Sequence, residues 1–246
     1  MRGKLIVIEG TDCSGKETQT KMLMDKLIAD GYNVTNFSFP MYDTPTGKIV
    51  GGPYLGKEYI CEGWFPETAP NVDPKVSSLY YAADRKYNCP KIEAELAKGN
   101  NVILDRYTFS NMAHQGGKIF DDEERNNMYF WLDDLEFKLL GLPKPDICIF
   151  LHMPYEAAVI LKSNRSETPD QNEANSEHLK HAEKAYTEVA GKYNFKTIEC
   201  CINTSNNIVR EDIKTKEDIS KEVYEYIKQV FTKDAKKRSK KQINKK

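Results

Sequence analysis

Five short apolar runs recur along the chain, at 5–8, 34–39, 102–104, 147–151 and 196–202. Each is too short for a buried helix and nearly continuous, as a strand covered on both faces would be. Between them, apolar positions recur at helical spacing over 16–30, 74–98, 122–140, 154–164, 175–193 and 216–231. Strands alternating with helices predict an α/β fold of three layers, a five-stranded parallel sheet flanked by helices. Ligands of such sheets bind beyond the carboxyl ends of the strands. Residues 51–74, rich in Gly and Pro, read as a surface excursion, and 163–176 as a polar connection.

The first strand runs into Gly10-Thr11-Asp12-Cys13-Ser14-Gly15-Lys16-Glu17-Thr18, and a helix opens within it. Strand, glycine loop and helix in that order form a phosphate-binding loop. The glycines let backbone N–H groups converge, the helix N-terminus adds partial positive charge, and Lys16 reaches the outer phosphates of a nucleotide. Gly10, Thr11, Asp12, Cys13, Ser14, Gly15, Lys16, Glu17 and Thr18 are therefore the expected nucleotide-binding residues. The residue after such a lysine is usually Ser or Thr, whose hydroxyl helps to hold Mg²⁺; here it is Glu17, and Thr18 is the nearest hydroxyl. That departure weighs against GTPase or motor readings. The absence of an Asn-Lys-x-Asp guanine-reading motif does so too.

Composition narrows the picture further. A chain of 246 residues suits one larger domain, expected over 1–232, with a lid over about 162–176. No apolar run approaches membrane-spanning length and no signal-like segment opens the chain, so a cytoplasmic protein is expected. Cys13, Cys61, Cys89, Cys148, Cys200 and Cys201 fit no zinc spacing and read as reduced thiols. His178 and His181, nearly one turn apart, read as surface residues. Between Lys233 and Lys246, eight basic residues face Asp234 alone, so this tail is basic and expected to be disordered. The rest of the chain is acidic, so nucleic acid is not an expected partner except through that tail.

A second constellation, Asp105-Arg106-Tyr107, ends the third strand. At that rim a carboxylate suits Mg²⁺ and a guanidinium suits a phosphate; a structural ion pair is the alternative. Taken with the loop, Phe39-Pro40, the run 79–85 (Leu-Tyr-Tyr-Ala-Ala-Asp-Arg), the run 105–116 and Leu142-Pro143-Lys144-Pro145-Asp146, the chain resembles the thymidylate kinase family of P-loop nucleoside monophosphate kinases to about residue 230.

The resemblance implies a P-loop NTPase fold, phosphorylation of dTMP to dTDP by ATP with Mg²⁺, and a homodimer. It implies that Lys16 and the loop hold ATP, and that Asp12 contacts the acceptor sugar. Phe39 and Tyr81 lie beside the thymine ring, Arg85 reads a thymine carbonyl, and Ser110 and Gln115 lie near base and sugar. Arg106 holds the acceptor phosphate. Asp105, with Thr18, lies on the metal side. Lys16, Asp105, Arg106 and a lid arginine, Arg165, form the implied catalytic set.

Two departures bear on specificity. Met41 and Tyr42 follow Phe39-Pro40 where the family often has an arginine, and His114 stands where an aromatic often packs against the sugar. They keep open another deoxynucleotide or pyrimidine monophosphate kinase. Glu17 keeps open a non-catalytic nucleotide-binding protein.

Overall fold

The computed structural model describes residues 2–162, 170–203 and 208–243, with side chains through residue 233. Its centre is a parallel sheet of β1 (Leu5–Gly10), β2 (Val34–Ser38), β3 (Asn101–Asp105), β4 (Ile147–His152) and β5 (Lys196–Glu199), in the order β2-β3-β1-β4-β5. Alternate β1 side chains enter opposite layers, as the pleat requires. Leu5 and Val7 join one core, with α3 (Pro74–Lys98), α4 (Thr108–Gly116), α5 (Asp122–Asp133) and α7 (Ser176–Lys192). Ile6 and Ile8 join the other, with α1 (Lys16–Ala29), α6 (Tyr155–Lys162) and α8 (Lys216–Ile243). The register sets Ile8 beside Asp105 and Gly10 beside Leu151, so the loops after β1 and β3 emerge side by side.

The stretch after β2 carries local order that the sequence pattern did not show. A helical turn, α2 (Pro45–Ile49), capped by the Thr44 side chain, leads into a π-helical turn, Val50–Tyr54. Val50, Tyr54, Leu55, Ala69 and Val72 then form a small core of their own, packed by Tyr42, Phe65, Tyr80 and Tyr81. Residues 51–74 are thus a surface excursion, as expected, that closes on a small core of its own. Lys118, just after α4, fastens it by donating to the Ala69 and Val72 carbonyls at 2.8 and 2.9 Å. The sparse glycine-rich pattern concealed this core because its members come from both ends of the segment.

α8 also runs past its expected end to Ile243, into the basic stretch expected to be disordered. Residues 233–243 hold neither Gly nor Pro, and their Lys, Arg, Ala and Gln are good helix formers. Lysines near a helix C-terminus also complement its dipole. None of the six cysteines, all among the described residues, is in a disulfide. Among the described residues, no helix is long and apolar enough to cross a membrane.

Candidate active site

The glycine loop turns sharply between β1 and α1. Cys13 and Gly15 adopt left-handed backbone angles, φ 59° and 76°. A Cβ on Gly10 would lie 2.8 Å from the Leu151 carbonyl, so only glycine lets the loop start this close to β4. Lys16 is buried and folds back to donate to the Thr11 carbonyl at 2.8 Å. The Thr11 hydroxyl is engaged behind the loop, donating to the Met153 carbonyl at 2.7 Å. Burial, with Arg106 nearby, pushes the Lys16 ammonium down to about 8, against the pull of Asp12, Asp105 and Glu9.

A cleft of about 350 Å³ opens beyond the carboxyl ends of β1, β2 and β3. Its walls bring together Asp12, Cys13, Gly15, Lys16, Glu17, Thr18, Phe39, Tyr81, Arg85, Asp105, Arg106, Ser110, His114 and Gln115. Gly10, Thr11 and Ser14 do not line it. Arg165 lies outside the described residues.

Arg106 takes a left-handed conformation, φ 65°, a strain of order 1–3 kcal/mol for a side chain with a Cβ. Its amide is fixed to the Ile8 carbonyl at 3.0 Å, and the next amide, of Tyr107, donates to Glu9 at 2.8 Å. The side chain is thereby aimed into the cleft. There it donates to Asp12 at 3.0 Å and to the Tyr186 hydroxyl at 3.2 Å. Burial alone would raise the Asp12 carboxyl, but Arg106 and Lys16 hold it well below the usual carboxylate range.

Glu9 is fully buried and organises the start of α4. Besides the Tyr107 amide it accepts from the Ser110 amide at 3.1 Å and from the Ser110 hydroxyl at 2.5 Å. Burial raises its carboxyl above the ordinary value, against these donors. Ser110 therefore reaches the cleft wall with its hydroxyl already donated inward.

Arg85 is anchored likewise. Its Nε and Nη2 donate to Glu136 at 2.5 and 2.6 Å, leaving Nη1 with one long contact, 3.5 Å from the Tyr107 carbonyl. Glu136 also accepts from Thr108 and Asn111 at 3.0 Å each. It lies in a π-helical turn, Asp134–Leu139, that extends α5. Such widened turns are frequent at functional sites.

Two more side chains hold buried polar atoms that make no hydrogen bond among the described residues. Gln115 is fully buried, and neither its oxygen nor its nitrogen has a hydrogen bond among the described residues. Asp105 keeps Oδ1 buried and unpaired at the end of β3. His178 proves to be buried, against its expected surface place: its Nε2 lies 3.2 Å from His114 Nδ1, with the rings stacked. Burial pushes His178 down to about 4 and, with His178 and Arg106 adding to it, His114 well below its usual value. Both imidazoles are neutral at pH 7.

Sequence reasoning missed Glu9, Glu136, Tyr186 and His178. A carboxylate inside a strand otherwise buried signals Glu9, since a buried charge needs partners. Glu136 carries no such mark, because a helical pattern read over 122–140 does not reveal the π turn.

The sequence profile of the thymidylate kinase family matches residues 8–213. The chain is 34% identical to thymidylate kinase of Homo sapiens over 152 residues, 62% of each chain. It is 33% identical to that of Schizosaccharomyces pombe over 187 residues, 76% of this chain and 79% of the relative. A solved thymidylate kinase from Candida albicans superposes with a TM-score of 0.69 at 27% identity, covering 93% and 92% of the two chains. With that agreement in sequence and fold around one cleft, this chain belongs to the thymidylate kinase family.

Proposed function

We propose that this protein transfers the γ-phosphoryl group of ATP to dTMP, giving dTDP and ADP in the cytoplasm. The observation that carries the reading is the shared cleft: the phosphate loop with Lys16 meets Arg85, Arg106, Asp12 and the aromatic walls Phe39 and Tyr81.

Lys16 and the loop amides hold the donor phosphates. Arg106, aimed by its strained backbone, leaves Asp12 to take the acceptor phosphate, and Asp12 becomes free to accept from the sugar hydroxyl. The acceptor phosphate is largely dianionic at neutral pH, so it attacks without a strong base. The work of the site is to bring two anions into line and stabilise charge on the transferring group.

Asp105 Oδ1 is the oxygen that fits Mg²⁺, and Thr18 lines the same cleft. Among the described residues no cluster of three ligating side chains forms, which suits a cation held mainly by phosphate oxygens and water. When bound, Mg²⁺ neutralises charge on the donor phosphates. Arg85 Nη1 and the buried Gln115 amide read the base edge, while Phe39 and Tyr81 flank the ring. Val76, Leu79 and Tyr87, exposed on one face of α3, suit a homodimer interface.

Release of ADP from ATP·Mg²⁺, with dTMP, dUMP, UMP, CMP, dGMP and AMP offered in turn, tests this reading. dTMP is the expected preferred acceptor. dUMP, lacking only a methyl, is expected about 10–200-fold poorer rather than inert. A purine monophosphate as best acceptor would overturn the base assignment, and no turnover would favour a non-catalytic role.

The depressed Lys16 pKa gives a pH signature. A lysine that loses its proton through about pH 8 has no charge above that value for the donor phosphates. Nucleotide phosphate restores the proton, so binding and protonation are linked. ATP affinity measured calorimetrically is expected to fall as pH rises past about 8, with proton uptake on binding near that pH. A flat affinity from pH 7 to pH 9 would remove Lys16 from phosphate binding.

A further inference from the structure

The acceptor brings a dianionic phosphate into a cleft already crowded with donor phosphates. Four lysines and arginines are among the described residues lining it: Lys16, Lys57, Arg85 and Arg106. Lys16 belongs to the donor loop, and Arg85 is bound on two nitrogens by Glu136. Tyr42, which lines the cleft after Phe39-Pro40, supplies no cation.

Lys57 comes from the 51–74 excursion, and local structure explains its placement. Gly56 takes φ 66°, and a Cβ there would meet Gln171 Nε2 at 2.9 Å. The chain thus turns tightly beside residues 170–173. The Gln171 amide donates to the Leu55 carbonyl at 3.3 Å, and its side-chain oxygen accepts from the Ala69 amide at 2.7 Å. Lys57 Nζ lies 5.2 Å from the centroid of the Tyr42 ring and 3.1 Å from Asp170. Glu173, raised mainly by burial, is within electrostatic reach of Lys57, Arg106 and Asp12 alike, so the two cations serve one region.

We propose that Lys57 is the second cation for the acceptor phosphate, acting alongside Arg106. The two are held alike, Arg106 on Asp12 at 3.0 Å and Lys57 on Asp170 at 3.1 Å. Asp170 has other partners besides Lys57. Its Oδ1 accepts the Asn172 and Glu173 amides at 3.0 Å each, so turning the ammonium toward phosphate leaves the carboxylate partnered. Tyr42 gives the lysine stem and charge an aromatic surface to move across. The assignment rests on the proposed acceptor, a nucleoside monophosphate.

The test compares binding of dTMP with binding of thymidine, which lacks the phosphate, alongside steady-state kinetics. Turnover of dTMP by the unmodified protein checks the underlying reading separately. Lys57→Ala is expected to weaken dTMP binding and raise its KM about 10–100-fold, with thymidine binding unchanged. Lys57→Arg should restore most of the loss. Lys57→Met keeps the stem over Tyr42 and serves if the alanine variant does not fold. Asp170→Asn separates the roles: as a resting partner only, it should leave dTMP binding near the wild-type value. Unchanged dTMP binding in Lys57→Ala and Lys57→Met overturns the proposal. So does equal loss of dTMP and thymidine binding in the Lys57 and Asp170 variants, which would make the pair a structural latch.

Discussion

Lys16→Ala is expected to lower kcat for phosphoryl transfer by about a thousandfold or more while leaving the fold intact. In the proposed mechanism, turnover falls because this ammonium neutralises charge that grows on the transferring group, in a buried place where water cannot substitute. Stability survives for the same reason. The fold gains little from the lysine, whose hydrogen bond among the described residues is to the Thr11 carbonyl. Its lowered pKa also means that the folded state disfavours the charged form. That cost is present below about pH 8 and is relieved as pH rises toward the unfolded-state value. Removing the charge therefore does not weaken the fold at neutral pH. Single-turnover kinetics with saturating ATP and dTMP, together with thermal unfolding, check both halves. Near-normal turnover would take Lys16 out of the mechanism, and a large loss of stability would contradict its electrostatics.

Glu136→Gln is expected to have the largest effect on stability. The fully buried carboxylate accepts from Arg85 twice and from Thr108 and Asn111, tying α3, α4 and the π turn together. A glutamine has one acceptor oxygen and turns an amide N–H₂ toward a guanidinium that is itself buried. Leaving one member of a buried ion pair uncompensated costs about 3–5 kcal/mol, enough to lower Tm by about 10 °C in a chain of this size. The KM for dTMP should rise as well, because Arg85 loses its fixed aim. Replacing both partners with apolar residues, Glu136→Leu with Arg85→Met, separates the effects. Stability should largely return, since no charge is left unpaired, but acceptor recognition should not. Wild-type Tm and KM in Glu136→Gln would show that the pair neither holds the helices nor positions Arg85.

These two sites were unequally legible in the chain. The loop around Lys16 is local: strand, glycines and helix are consecutive, and their chemistry follows from backbone conformation over nine residues. Asp105 and Arg106 were legible for a related reason, because the end of a parallel strand has a fixed address at the ligand-binding rim. Glu136 is the opposite case. Its role depends on a π turn and on partners 25 to 51 residues away in the chain, which no periodicity encodes. His178 looked exposed by composition, yet α7 packs it against His114 and removes its charge at neutral pH.

The sequence by itself determined the parallel α/β fold, the glycine loop with Lys16 and the family, since all rest on short-range pattern and on motifs contiguous in the chain. Tertiary structure alone decided the rest of the site. It set Arg106 on Asp12 and Arg85 on Glu136, and it closed residues 51–74 into a core that carries Lys57 to the cleft. The reason is physical: a charge in the cleft is placed by its partner, and the partners of Arg106, Arg85 and Lys57 lie on distant elements.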